Sequence, residues 1–527
     1  MIHLPKHETK LLVAIHGWSG IVLGLLLYAV VLTGMTAVFA DEIGIWSAGR
    51  VETRSAFEGP IDRSVRELTA RTPAKYRADI NLFEVGDHGL GAYFHHDEVA
   101  PGGQPTSRGI YYQLDRAGRI VSQREGTGED VFGPRNDDAL SSFLVDTHVR
   151  LRLPDPWGLL LTGILGLTML VAAISGLLIH RHLFKDVFTL RRNVSPVLAN
   201  RDRHSVAGTW SLPFAFVLAF TGSFFSFFGT IGVPIVAMAA FGGDQQALSE
   251  AVFGNPAKTN TTPSPLGNLD RLTSDATRRT GEAPNFMTIE NFGRADAAVT
   301  TFHPARPGDL APMTLAYSGA TANFDRIKPL IGTRPSMGGT AAGIMGPVHF
   351  GNFAGVLSKA MWFGLGFAMC YVTFTGLRLW LVRRRERQRS LDWLERAVTV
   401  VGFGLPFGLA AAAVGFLLAM PQGSAVYWTP AAFLIAAGLA VAGGFVARSN
   451  TQLDRLLKAV TGATLLALPV VRLATGGPGW SDTFDAGQPV IIAVDIALAA
   501  AGGGMLWLLV RDPQDRPSNI VALQPAE

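Results

Sequence analysis

Eight stretches of this 527-residue sequence are apolar over a length that could cross a bilayer, near residues 11–40, 157–180, 205–240, 352–382, 396–419, 426–447, 456–475 and 487–510. About 20 helical residues span roughly 30 Å of hydrocarbon, where every backbone N–H and C=O must be satisfied within the segment. The expected fold class is an all-α polytopic membrane protein with about eight transmembrane helices. Only 16 % of residues are charged, against about 25 % in soluble domains. The first run is too long for a signal-peptide core and lacks a small-residue cleavage site before Asp41-Glu42, so it reads as an anchored span. A net charge of +4 is accounted for by the basic loops and gives no reason to invoke nucleic acid. The single cysteine, Cys370, lies inside the fourth span. One thiol excludes an internal disulfide, a thiolate-held iron–sulfur cluster and C-x-x-C-H haem attachment.

Basic residues in short loops set the expected orientation. Arg181, Lys185, Arg191, Arg192, Arg201 and Arg203 fall between the second and third spans, and Arg383, Arg384, Arg385, Arg387, Arg389 and Arg396 between the fourth and fifth. Arg448, Arg455 and Lys458, the tail with Arg511 and Arg516, and the N-terminus with Lys6 and Lys10 alternate in step with these. Both termini are therefore expected in the cytoplasm. The two long connections, 41–147 and 241–348, then face outward.

Each long connection reads as a small α+β module, inserted between helices 1 and 2 and between helices 3 and 4. In the first, Ser64–Leu68 looks helical, while Ala78–Phe83 and Gly109–Asp115 alternate like strands and Gly118 supplies a turn. In the second, Leu266–Thr277 looks helical, and Asn285–Glu290, Ala298–Phe302, Leu315–Gly319 and Ala322–Asp325 look like strands. The expected organisation is a first span over 1–40, a module over 41–147, two spans and a basic loop over 148–240, a second module over 241–348, a fourth span over 349–385 and an added four-span domain over 386–527. That last domain has no counterpart in either half, and its buried acid Asp495 reads as a paired residue of the bundle.

The two halves share a polar signature. His16 is followed by Gly20, and His204 by Gly208; Thr33-Gly34 and Thr221-Gly222 each begin 17 residues after the respective histidine. His148 and His349 precede the second and fourth spans, with Ser175-Gly176 and Thr375-Gly376 at offsets of 27 and 26 residues. Ionisable residues at or within membrane helices are costly and tend to be functional, and internal repeats tend to place sites at their interface. A group held between helices is expected, with haem the leading candidate. The bland alternative is an interfacial histidine beside a small-residue packing stripe.

With these pieces assembled (the His16 helix ending in Leu32-Thr33-Gly34, Asp146-Thr147-His148, Arg203–Trp210, and Val348-His349 with Phe374-Thr375-Gly376), the chain resembles the PepSY-associated transmembrane family over about residues 10–385. That family includes inner-membrane ferric-siderophore reductases. The resemblance implies a protein with two non-covalent b-type haems that passes electrons across the membrane to ferric iron at the periplasmic face. The substrate would be a ferric siderophore or another ferric chelate.

Bis-imidazole ligation needs neutral histidines on facing helices. Topology puts His16 and His204 at the cytoplasmic ends of their spans and His148 and His349 at the outer ends of theirs. An inner haem between spans one and three and an outer haem between spans two and four are expected. Gly20 and Gly208, one turn beyond His16 and His204, would clear room for the macrocycle. Arg150 and Arg152 suit outer propionates, and Arg203 and Arg378 inner ones, unless they only anchor helix ends. His180 is an alternative inner ligand. His95, His96 and His303 lie in the modules and read as solvated or hydrogen-bonded. No Gly-rich dinucleotide site is recognisable, so the electron donor would be a cytoplasmic partner or quinol. The competing reading is a haem-free transporter or sensor whose modules bind a peptide, a protease or a metal chelate.

Overall fold

The computed structural model describes residues 5–511 apart from 87–88, 100–104, 181–187, 189, 192–194, 254–258, 307, 330–331, 333 and 387–390. Arg181, Lys185, Arg192, Arg387, Arg389 and Arg516 lie outside the described residues.

The first apolar run is broken. Helix α1 (Lys6–Val22) and helix α2 (Gly24–Ala37) meet at Leu23 with a bend of 66°. Counting this pair as one span gives eight candidate crossings among the described residues, and seven without it. Short α3 (Ala40–Ala48) and amphipathic α4 (Ile61–Arg71) lead into strands β1 (Asp79–Val85), β2 (Gly89–Val99), β3 (Pro105–Leu114) and β4 (Ile120–Thr127). Helices α5 (Gly128–Phe132) and α6 (Ala139–Arg150) return the chain to span α7 (Trp157–Ile179). Helix α8 (Pro196–Phe227) continues through a π-turn at Phe228–Gly232 into α9 (Val233–Phe241). This unit is 45 residues long over Val197–Phe241, more than twice what a bilayer requires, so it runs well past the hydrocarbon. Helices α10 (Gln245–Phe253) and α11 (Leu269–Thr280) precede β5 (Phe286–Glu290), β6 (Ala298–His303), β7 (Met313–Ser318) and β8 (Phe324–Ile327). Then come α12 (Met337–Phe350) and span α13 (Gly355–Glu386).

The two α+β segments do not form two separate sheets. They merge into one eight-stranded antiparallel sheet of order β4-β3-β2-β1-β5-β6-β7-β8. The join is the β1–β5 ladder, with Ile80 opposite Ile289 and Leu82 opposite Met287. These side chains point to the face covered by α4 and α11, where Val65, Leu68, Leu272, Ala276 and Val299 complete a shared core. Neither half could bury its apolar face as well alone, since α4 and α11 pack side by side over the seam. Strand β2, which carries His95 and His96, was not anticipated from the sequence; two glycines interrupt its apolar pattern.

The helix starts at the seam cap one another. Asp270 Oδ1 accepts from the Asp62 backbone N–H at 2.9 Å, and Asp62 Oδ1 accepts from the Leu269 N–H at 3.1 Å. Each carboxylate thus meets the other helix's free N–H groups and positive dipole end. Replacing either Asp62 or Asp270 with Ala should destabilise the sheet domain by about 1–2 kcal/mol, read as an earlier loss of amide hydrogen-exchange protection in β1 and β5 than in the membrane helices.

The added C-terminal domain comprises α14 (Asp392–Ala419), α15 (Ala425–Val446), α16 (Asn450–Ala474), short α17 (Trp480–Asp485) and α18 (Val490–Arg511). Its helices approach closely through small residues. A Cβ on Gly462 would lie 3.0 Å from the Gly502 carbonyl oxygen, and one on Gly502 would lie 2.7 Å from that of Gly462. Asp495, 1 % exposed, pairs with the equally buried Arg472 at 2.7 Å. It also accepts from the indole N–H groups of Trp46 and Trp480 at 2.7 and 2.8 Å. Cys370 is buried.

Candidate functional site

The bundle brings the four repeated histidines together in two facing pairs. The rings of His16 on α1 and His204 on α8 have centroids 6.1 Å apart at an interplanar angle of 73°. Those of His148 on α6 and His349 on α12 lie 6.2 Å apart at 28°. His204 and Thr221, which touches His349, are 17 residues apart on one helix. At 1.5 Å per residue the two levels are therefore about 26 Å apart along α8.

Each histidine is seated by a Ser/Thr-Gly pair on another helix. His16 Nδ1–H donates to the Ala172 carbonyl at 3.0 Å, with Ser175 Oγ at 3.2 Å. His148 Nδ1–H donates to Val30 O at 3.0 Å, and His204 Nδ1–H to Val372 O at 3.0 Å. In all three the acceptor sits four residues before the glycine of the pair: Gly176, Gly34 and Gly376. At the fourth seat the Thr221 hydroxyl lies 2.8 Å from His349 Nδ1; because it already donates to Val217 O at 2.7 Å, it is left to accept from Nδ1–H. The glycines are needed for closeness. A Cβ would lie 2.7 Å from the His148 ring at Gly34, 3.0 Å from His204 at Gly376, 3.2 Å from His349 at Gly222 and 3.3 Å from His16 at Gly176.

These bonds fix the tautomer. A carbonyl only accepts, so Nδ1 carries the proton and the Nε2 lone pair is left on the opposite edge of the ring. Metal-binding histidines are commonly oriented this way, by donating the second ring N–H to a carbonyl. The seat pairs are visible in the sequence as a repeat, yet their partners are not, because each lies on a different helix from the histidine it holds.

The other sequence candidates are placed as follows. A Cβ on Gly20 would meet nothing within 4 Å, so it leaves open space beside its histidine's helix, whereas one on Gly208 would be in ordinary contact with Val372 at 3.8 Å. Arg150 binds Asp146 and Asp155, both at 2.8 Å, and Arg152 binds Asp146 at 2.5 Å. Both outer guanidiniums are thus engaged by carboxylates. Arg203 reaches Asn200 at 3.4 Å. Arg378 lies 4.7 Å over the Phe374 ring and 3.7 Å from Asp454. His180 caps the end of α7, and its Nδ1 is buried without a hydrogen-bond partner among the described residues. The ring contact of His16 is with His204 rather than with His180.

In the sheet domain, His303 is tied at both nitrogens, to Glu282 O at 2.8 Å and Thr301 Oγ1 at 2.9 Å. His95 accepts from Asn81 Nδ2 at 3.1 Å and stacks on Tyr93. Burial pushes the pKa of both below the usual histidine range. These are structural histidines of the sheet.

Fold and site together define a multi-pass membrane protein with facing histidine pairs at two levels. The chain belongs to the PepSY-associated TM region family, whose pattern it matches over residues 13–383. It is similar to an uncharacterized protein, PA4219, of Pseudomonas aeruginosa, at 26 % identity over 358 residues, covering 63 % of this chain and 86 % of the relative.

Histidine-selective 15N solid-state NMR should find His16, His148, His204 and His349 as neutral Nδ1–H tautomers with hydrogen-bonded shifts. Gly34→Val should perturb the His148 signal and leave those of His16 and His204 in place. A predominance of Nε2–H tautomers at these positions would contradict the seating.

Proposed function

We propose that the chain carries electrons across the membrane through two b-type haems, one held by His16 and His204 and the other by His148 and His349, and reduces a ferric chelate on the side of the sheet. The observation that carries this reading is the spacing of the rings. With metal–imidazole bonds of about 2.0 Å and roughly 1.1 Å from ring nitrogen to ring centre, two imidazoles facing one metal from opposite sides have ring centres about 6.2 Å apart. Both pairs match, at 6.1 and 6.2 Å. Among the described residues no group of three or more His, Cys, Asp or Glu side chains is arranged to hold a metal ion. A pair of histidines therefore suits a metal that brings its own equatorial ligands, as haem does.

When bound, haem would supply a one-electron carrier at each level. The chain's part is to keep each imidazole neutral, hold its Nδ1–H against a helix carbonyl or hydroxyl and leave Nε2 to the iron. Gly20 leaves open space beside the His16 helix. The reaction is Fe(III) plus one electron giving Fe(II) in the chelate. The electron comes from a cytoplasmic reductant or quinol, and the weaker Lewis acid left behind is released more readily from hard oxygen donors. The direction follows from charge. The basic end with Arg383, Arg384, Arg385, Arg448 and Arg455 would face the cytoplasm of a bacterial inner membrane, and the sheet, joined to His148 through α5 and α6, would face the periplasm.

Purified protein from haem-replete cells should be red, with about two b-type haems per chain by pyridine haemochrome. His148→Ala or His349→Ala should remove one haem and abolish ferric-chelate reduction, while the spectrum of the other haem persists. A colourless, folded preparation would overturn this reading and favour a haem-free transporter or sensor.

A further inference from the structure

The family match ends at residue 383, so the four C-terminal spans lie beyond it. Apart from the pairing of Arg378 with Asp454 and of Arg385 with Glu395 at the basic end, their polar contacts with the rest of the chain fall on α2, α3 and the approach to α6. Tyr28 on α2 donates its hydroxyl to the Gly402 carbonyl of α14 at 2.7 Å. Two residues on is Val30, the carbonyl that seats His148. Asn136, three residues ahead of α6, grips the turn between α14 and α15 from both sides. Its Nδ2 donates to Met420 O at 2.9 Å and its Oδ1 accepts from the Ala425 N–H at 2.7 Å. Phe143 on α6, five residues before His148, meets the Phe433 ring of α15 at 5.4 Å. Trp46 on α3, which packs against α6, gives its indole N–H to the buried Asp495 of α18 at 2.7 Å.

Among the described residues, the other half has no such cover at the matching position. Helix α6 buries Ala139, Leu140, Phe143, Leu144 and Thr147, whereas α12, carrying His349, buries only Gly343 and Pro347. Met337 at its start is 91 % exposed and Phe350 at its end 55 %.

We propose that the C-terminal four-span bundle is a positioning device for His148. It holds α2, which provides the seat, and α6, which provides the imidazole, so that one member of the pair at the sheet end is fixed from outside the repeat. Tyr28, Trp46 and Asn136 are its positioning residues. The inference rests on the reading that the His148–His349 pair holds a haem, and it assigns a role to spans that a two-haem conduit does not need.

The test compares Tyr28→Phe and Trp46→Phe, each removing one hydrogen bond to the C-terminal spans, with Asn136→Ala, which removes two, in the full-length protein. Low-spin EPR and redox titration resolve two signals, and the one missing in His148→Ala belongs to the sheet-end pair. Each variant should shift or broaden that signal, or lower its occupancy at least twofold, with the His16–His204 signal unchanged. Asn136→Asp, which keeps only the acceptor, should fall between Asn136→Ala and wild type. Asp62→Ala, a destabilising change in the sheet, should leave both signals in place. Equal movement of both signals, or movement of neither in folded variants, would overturn the proposal while leaving the two-haem reading intact. If wild type carries no haem, that reading fails instead. The 15N shift of His148 Nδ1–H in Tyr28→Phe and Asn136→Ala then decides the positioning by itself, an unchanged shift overturning it.

Discussion

The hydrogen bond from histidine Nδ1–H to a neighbouring helix is the interaction around which the membrane core is organised. An imidazole among apolar helices is costly unless its N–H is paired, and each of the four is paired across a helix contact rather than within its own helix. The exchange is reciprocal. The first span carries His16 and seats His148, while α7 seats His16 and follows the helix that carries His148. In the second half, α8 carries His204 and seats His349, and α13 seats His204 and follows the helix of His349. A span cannot then be displaced without disturbing both levels.

Much of this could be read from the sequence, and the reason is periodicity. Apolar length gave the spans, and identical offsets from histidine to Thr-Gly gave the repeat. What stayed hidden depends on contacts between segments far apart in the chain. The seats of Gly34, Gly176, Gly222 and Gly376 lie on other helices from their histidines, so spacing could not assign them. The bend at Leu23 occurs in an unbroken apolar run with no proline to mark it. The β1–β5 ladder joins residues 80 and 289, a pairing that alternation within either segment cannot reveal. Arg150 and Arg152 sit beside His148 as anticipated, but the carboxylates of Asp146 and Asp155 engage them.

Asp495 shows how a buried charge can be carried inside a membrane domain. Its two oxygens accept from one guanidinium and two indoles, and Arg472 also donates to Pro478 O at 2.7 Å. Breaking such a pair from one side leaves an uncompensated charge, which typically costs about 3–5 kcal/mol. The cluster joins α16, α17 and α18 to α3, so the added domain and the neck beneath the sheet share one polar joint.

The shared sheet has a mechanical meaning. Transporters built from repeats work largely by rocking one repeat against the other around a central site. Here the ladder joining the halves aligns Ile80, Asn81, Leu82 and Phe83 with Ile289, Thr288, Met287 and Phe286. Rotation of one half against the other would have to tear that ladder or drag the whole sheet with it. Facing rings about 6 Å apart tolerate little relative motion. The sheet acts as a brace across the repeat, tying together the two halves that each supply one histidine to each facing pair.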